Sequence, residues 1–265
     1  MKKIMKSFGV LAIASLAFVS CKKNSVEPKI EDAISESTLQ KIYDLGFGKT
    51  NVQKIEEGYL VEGDIVITEE LLNSTPQKQF FLVGDEEQYR TTNLVTSLPR
   101  NITVRVSTTL PSSYITATDA ALARYNALGL RVTFTRVTSG GSIVITAAPS
   151  GSGYLASAGF PSGGNPYNSV KVNRAYLDTW NANTVTSIMA HEIGHCIGFR
   201  HTDYAQRQYS CGGSPVNEGA GSVGAIHIPG TPTGPDPNSW MLACIGNGVN
   251  RPFNTNDKTA LNYVY

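Results

Sequence analysis

Apolar and polar positions alternate in two patterned stretches of the chain, separated by a polar one. The rhythm is clearest from Asn101 onward. Ile102 to Ser107 alternates with period two and predicts a strand. Thr116 is placed to cap a helix running to Leu128, with Asp119 in its first turn and Gly129 just past its end. Arg131 to Arg136 and Ser142 to Ala147 alternate again. Ser169 to Asn173 reads as one more short strand after a glycine-rich loop, suited to the edge of a cleft. The period then changes. Val185, Ile188, Met189, Ile193, Cys196 and Ile197 make the apolar stripe of a helix that Asn183 would cap. A last helix is expected after Thr255 or Asn256, with Ala260, Leu261 and Val264 facing inward. Nearer the start, Ser37 to Leu45 predicts a small helix stopped by Gly46. Tyr59-Leu60-Val61 and Ile65-Val66-Ile67 read as strand pieces, and Glu69 to Leu72 as a further helical turn. Asn73 to Arg100 is polar and punctuated by prolines, which predicts a linker. The succession of elements predicts an α/β (α+β) domain over residues 95–265, with a twisted mixed sheet and two long helices. A small region and the linker, residues 31–94, precede it.

Composition excludes some functions and leaves others open. Charged residues make up 16% of the chain and the formal net charge is +1, so no basic excess points to nucleic acid. Lys2, Lys3 and Lys6 precede the apolar run Phe8 to Val19, which is short for a membrane span, and Ser20 then precedes Cys21. Residues 1–20 read as a signal peptide and 21–30 as a polar tether. The pattern resembles a bacterial lipoprotein signal, which implies export and a lipid on Cys21 as the membrane contact. A plain signal peptide would instead give a secreted protein. Export permits disulfides. Cys196 falls on the buried face of its helix, so a Cys211–Cys244 bridge is expected, tying together two loops.

The chemistry lies in HEIGHCIGFRH, His191 to His201. His191 and His195 stand one helical turn apart on one face, where both imidazoles can reach one metal ion. Glu192 sits beside them, placed to take a proton from a water molecule. Gly198 can end the helix and turn the chain back, bringing His201 to the same point. Three histidines leave a fourth position open, as in catalytic sites. His227, in a Gly/Pro-rich loop, reads as a surface histidine.

This run resembles the metzincins, whose signature is HExxHxxGxxH. Ser239-Trp240-Met241-Leu242 is similar to the methionine turn of that group, which implies that Met241 forms an apolar floor under the histidines. The wording HEIGHCIGFRHTD, SCGG, NEG, GAIHIPGTPTGPD and SWMLAC resembles the bacterial dual-action HEIGH metallopeptidases. Asp203 is then either a hydrogen-bond partner of a ligand histidine or a surface aspartate. Ala243 stands where astacins usually carry a tyrosine, so no tyrosine contact is expected there. Leu60 to Val66 resembles the astacin pro-segment, which implies that Asp64 occupies the open metal position in a latent form. Glu62-Gly63-Asp64 is equally good turn chemistry. Activating cuts would follow Lys78, Arg90 or Arg100. The resemblance implies a zinc endopeptidase with one catalytic zinc ion and peptide or protein substrates; the N-terminal pattern adds export, and a monomer is expected. The alternative is a membrane-tethered binding lipoprotein with a non-catalytic zinc site, against which the intact Glu192 argues.

Overall fold

A computed structural model describes residues 34–73, 88–218, 225–232 and 236–265. The signal peptide, Cys21, the tether and Lys78 lie outside the described residues. Ile34 to Tyr265 forms one compact unit by its contacts. None of its described helices is long and apolar enough to cross a membrane.

The first part holds α1 (Glu36–Leu45), β1 (Gln53–Ile55), β2 (Gly58–Val61), β3 (Ile65–Thr68) and α2 (Glu69–Leu72). Ser35 caps α1 through its side chain, and Gly46 ends it at a φ of 102°. After β4 (Tyr89–Arg90) come β5 (Arg100–Val106), α3 (Ser112–Asn126), β6 (Val132–Val137) and β7 (Ile143–Ala147). These lead to β8 (Ala156–Gly159), β9 (Ser169–Val172) and α4 (Arg174–Leu177). The motif helix α5 (Ala182–Cys196), α6 (Gln208–Cys211), β10 (Ile226–His227) and α7 (Thr255–Val264) complete the order.

Eight strands form one mixed sheet in the order β1-β2-β3-β8-β9-β7-β5-β6. β6, β5, β7 and β9 run parallel, β8 is antiparallel to β9, and β3 pairs with β8 in parallel. The sheet of the later part therefore continues into the β1–β3 meander of the earlier part. α3 packs on β5 and β6, α5 packs on β8 and β9, and the two helices pack against each other. One large apolar core lies between them. A smaller one joins Ile42, Phe47, Val61, Ile65 and Ile67 to Phe160.

Several expectations change. Ser169–Val172 is an interior strand, and the strand facing the early segment is β8. β8 has no alternating pattern because Ala156, Ser157, Ala158 and Gly159 are all buried. Gly159 is required there, since a Cβ would lie 2.9 Å from Val66 O of β3. The expected linker is partly built into the fold. Tyr89–Arg90 pairs with β10, Thr91 N donates to Gly198 O at 2.8 Å, and Arg200 N donates to Tyr89 O at 2.9 Å. Arg90 and Arg100 are therefore poor sites for an activating cut, because each lies in a hydrogen-bonded strand. Three helix starts also shift. α3 begins after Pro111 with no side-chain cap, α5 is capped by Asn181, and α7 by Asn254 in a capping box with Asp257.

Candidate metal centre

α5 delivers His191, Glu192 and His195 from a helix that is buried from Thr184 to Cys196. Gly198 then adopts a φ of 109°, and the chain turns to bring His201 alongside. A Cβ there would lie 2.5 Å from Asn93 O, so the turn also needs glycine for close approach.

Each imidazole is held by its Nδ1. His191 donates to Trp240 O at 2.9 Å, His195 to Phe199 O at 2.8 Å, and His201 to a Glu218 oxygen at 3.2 Å. Carbonyls only accept, so the Nδ1 contacts of His191 and His195 fix the proton there and leave those Nε2 lone pairs pointing inward. His201 Nε2 also turns inward but lies within hydrogen-bond distance of the Asp64 carboxylate, and against the effect of burial Asp64 and Glu218 push its pKa well up. His191 Nε2 and His195 Nε2 are buried and have no hydrogen-bond partner among the described residues. One ligand atom from each of Asp64, His191, His195 and His201 lies within 4.8 Å of the others. Buried donor atoms without partners are costly, and a metal ion at their common point would satisfy them. The donor set of three imidazoles and a carboxylate suits zinc.

Asp64 reaches this point from the β2–β3 hairpin, whose turn places Glu62 and Gly63 at positive φ. Its carboxylate lies 3.2 Å from His201 Nε2 and 3.5 Å from His191 Nε2. The turn chemistry and the approach to the histidines therefore coexist. Burial works against the Asp64 anion, but the facing imidazoles hold it well below the usual carboxylate range. Burial, His191 and His201 push His195 well down, towards the neutral form a metal ligand needs. Burial raises Glu192 well above the ordinary carboxylate value and Asp64 pushes it the same way, with His201 opposing. Glu192 Oε2 is buried without a partner among the described residues.

Met241 is fully buried beneath α5, where a Cβ on Gly194 would lie 2.7 Å from its sulfur. Its carbonyl accepts from Thr202 N at 3.0 Å, linking this turn to the His201 segment. Cys211 and Cys244 form a disulfide, and Cys196 is a free, buried thiol. Among the described residues Asp203 has no histidine as a hydrogen-bond partner, and it does not lie at the surface. It is buried and accepts from Ser210 N, Ser210 Oγ and Ala243 N, so it ties the loop after His201 to the one after Met241. His227 is half-buried and bonded to Thr231 Oγ1 at 2.9 Å.

The sequence did not point to Glu218, Glu62, Arg200 or Arg207. Arg200 is fully buried beside His201, and its Nη2 donates to both Glu62 oxygens at 2.8 and 3.0 Å. Arg207 donates to Glu218 at 2.6 Å and to Glu62 O. Alternating charges thus join the hairpin to the histidine loop.

A buried helix carrying HExxH, a third histidine after a glycine turn and a methionine beneath them define a metallopeptidase of the metzincin type. The chain belongs to the dual-action HEIGH metallopeptidase family, whose model matches residues 59–265. That span starts in β2 and includes Asp64. No curated protein matches the chain. Among solved structures it is similar to two of myroilysin. One is 17% identical over 44% of this chain and 56% of that one, with a TM-score of 0.35. The other is 15% identical over 63% and 83%, with a TM-score of 0.41. A third is the high choriolytic enzyme 1, a hatching enzyme zinc-protease from the medaka fish Oryzias latipes. It is 16% identical over 40% of this chain and 47% of that one, with a TM-score of 0.30. The chain thus spans about half the length of the first and third of these.

Proposed function

We propose that this protein is an exported zinc endopeptidase held latent by its own β2–β3 hairpin. One observation carries the reading: three buried imidazoles, each fixed through Nδ1, turn their Nε2 atoms to one point that Asp64 also approaches. His191, His195 and His201 would hold one zinc ion. When bound, zinc supplies Lewis acidity, polarising a carbonyl and bringing the pKa of water towards neutrality. Glu192 then holds and moves the proton. Its carboxylate takes it from water and passes it to the leaving amine. Met241 supports the helix that carries these groups. Asp64 occupies the approach to the histidines, and β3 covers β8, the edge along which an extended peptide would add.

Removal of part of residues 31–94 would free that edge, and a cut near Lys78 fits this better than one at Arg90 or Arg100. The N-terminal run of Lys2, Lys3 and Lys6, the apolar Phe8 to Val19 and Cys21 supports export with a lipid tether on Cys21.

The test is cleavage of a peptide library by the full-length chain, before and after limited proteolysis, with chelator and with zinc restored. Internal cleavage that chelator abolishes and zinc restores is expected. The Asp64→Ala chain should show raised basal activity before proteolysis. Glu192→Ala should keep its zinc and lose activity by a factor of about 100 or more. Full activity in zinc-loaded Glu192→Ala, or no cleavage by any form, would overturn the reading.

A further inference from the structure

The space beside His191 and Glu192 continues into a cavity of about 230 Å³ with mainly apolar walls, among them Tyr154, Ile188, Leu242 and Ile245. Arg251 also lines it. We propose, resting on the peptidase reading above, that Arg251 makes this cavity a pocket for an acidic substrate side chain adjoining the scissile bond.

Three observations support this. The first is that Arg251 is anchored. Its N–H donates to Ser187 Oγ of α5 at 2.9 Å, and its carbonyl accepts from Arg124 Nη1 of α3 at 3.0 Å. Both helices therefore fix where its side chain begins.

The second is that the guanidinium lacks a carboxylate. Among the described residues it makes one hydrogen bond, from Nη1 to Cys244 O at 2.8 Å, and no ion pair. Asp203 and Asp257 lie near enough to favour its charge. Their oxygens are engaged elsewhere, Asp203 with Ser210 and Ala243, Asp257 with Gln88, Ser239, Trp240 and Asn254. Arg207, the other cation lining the cavity, is already paired with Glu218 at 2.6 Å. Burial lowers the pKa of Arg251, the sign of a cation removed from water without full compensation.

The third is the setting. A planar guanidinium matches a carboxylate in two-point geometry, and apolar walls strengthen that contact. The same walls would pack the methylene groups of aspartate or glutamate. A neutral side chain there would leave the half-buried guanidinium without a carboxylate partner, which discriminates more sharply than a change of size.

The experiment uses the zinc-loaded full-length chain after limited proteolysis, and its Asp64→Ala form. The substrates are peptides randomised at single positions on either side of a fixed cleavage site. At one position next to the cut bond, Asp or Glu should exceed Asn, Gln and Leu in kcat/KM by roughly tenfold or more. Arg251→Met should collapse that ratio, and Arg251→Glu should turn it towards Lys and Arg. Equal cleavage of acidic and neutral peptides by the wild-type chain would overturn the proposal, whatever the variants do. A ratio that survives Arg251→Met, with all peptides falling together, would assign Arg251 a structural role and overturn it too. Failure to cleave any peptide would overturn the peptidase reading and this pocket with it.

Discussion

A histidine holds a metal well only when its other nitrogen is held in place, and here the three ligand imidazoles differ in what holds them. His191 and His195 use backbone carbonyls, which no side-chain substitution removes. His201 uses the Glu218 carboxylate, which also pairs with Arg207. Glu218→Ala therefore frees the His201 ring and leaves Arg207 without its ion pair. Zinc affinity should weaken about 10- to 100-fold, read by competition with a chromophoric chelator. Unchanged affinity would show that Glu218 does not position the ring. The histidines were legible in the sequence because helical spacing itself places His191 and His195 on one face. Glu218 was not, because a loop carries it back to His201 from 17 residues away. The reading of Asp203 failed for a related reason: HTD puts it two residues from His201, but the backbone turn directs it to Ser210 and Ala243 instead.

At the scale of elements, α5 is more enclosed than its apolar stripe implies. Thr184, Thr186 and Ser187 are buried beside the aliphatic residues, because the loop after Asp236 closes over the side that a surface helix would show to water. Gly194 is the contact point. A Cβ there would fall 2.4 Å from one ring carbon of Trp240, 2.5 Å from another and 2.7 Å from the Met241 sulfur. Helix propensity alone favours Gly194→Ala by about 1 kcal/mol. Overpacking against a buried indole should win, so the variant should lose about 1–3 kcal/mol in urea denaturation. A more stable Gly194→Ala protein would refute the close packing. Long periodic elements such as β5 and α5 were readable from pattern. β8 was not, because Ala-Ser-Ala-Gly is shaped by the approach of β3 and α5 and carries no alternation. The 88–93 stretch was missed because its two-residue strand gains its partners from β10 and from the turn at Gly198.

Across the whole molecule, Asp257 joins parts that are far apart in sequence. Gln88 Nε2 donates to it at 2.8 Å, Ser239 Oγ at 3.2 Å, Trp240 N at 3.3 Å and Asn254 N at 2.9 Å. One carboxyl thus fastens the segment before β4, the methionine turn and the start of α7. Burial pushes its pKa up from 3.8 to about 7, against the donors, which favour the anion. The sign of the consequence follows. Between these two values the folded chain keeps a proton that the unfolded chain has lost, so stability falls as pH rises through that window. The loss runs at about 1.4 kcal/mol per pH unit where the two states differ by a full proton. Above the folded pKa the penalty is complete and the slope ends. Asn is close in shape and carries no charge, so Asp257→Asn should flatten this part of the profile. Urea denaturation of both proteins at pH 5 and pH 8, each saturated with zinc, isolates the effect, because the histidine ligands contribute alike to both. A wild-type profile no steeper than that of Asp257→Asn would show that the carboxyl ionises at its ordinary pKa, with the four donors outweighing burial.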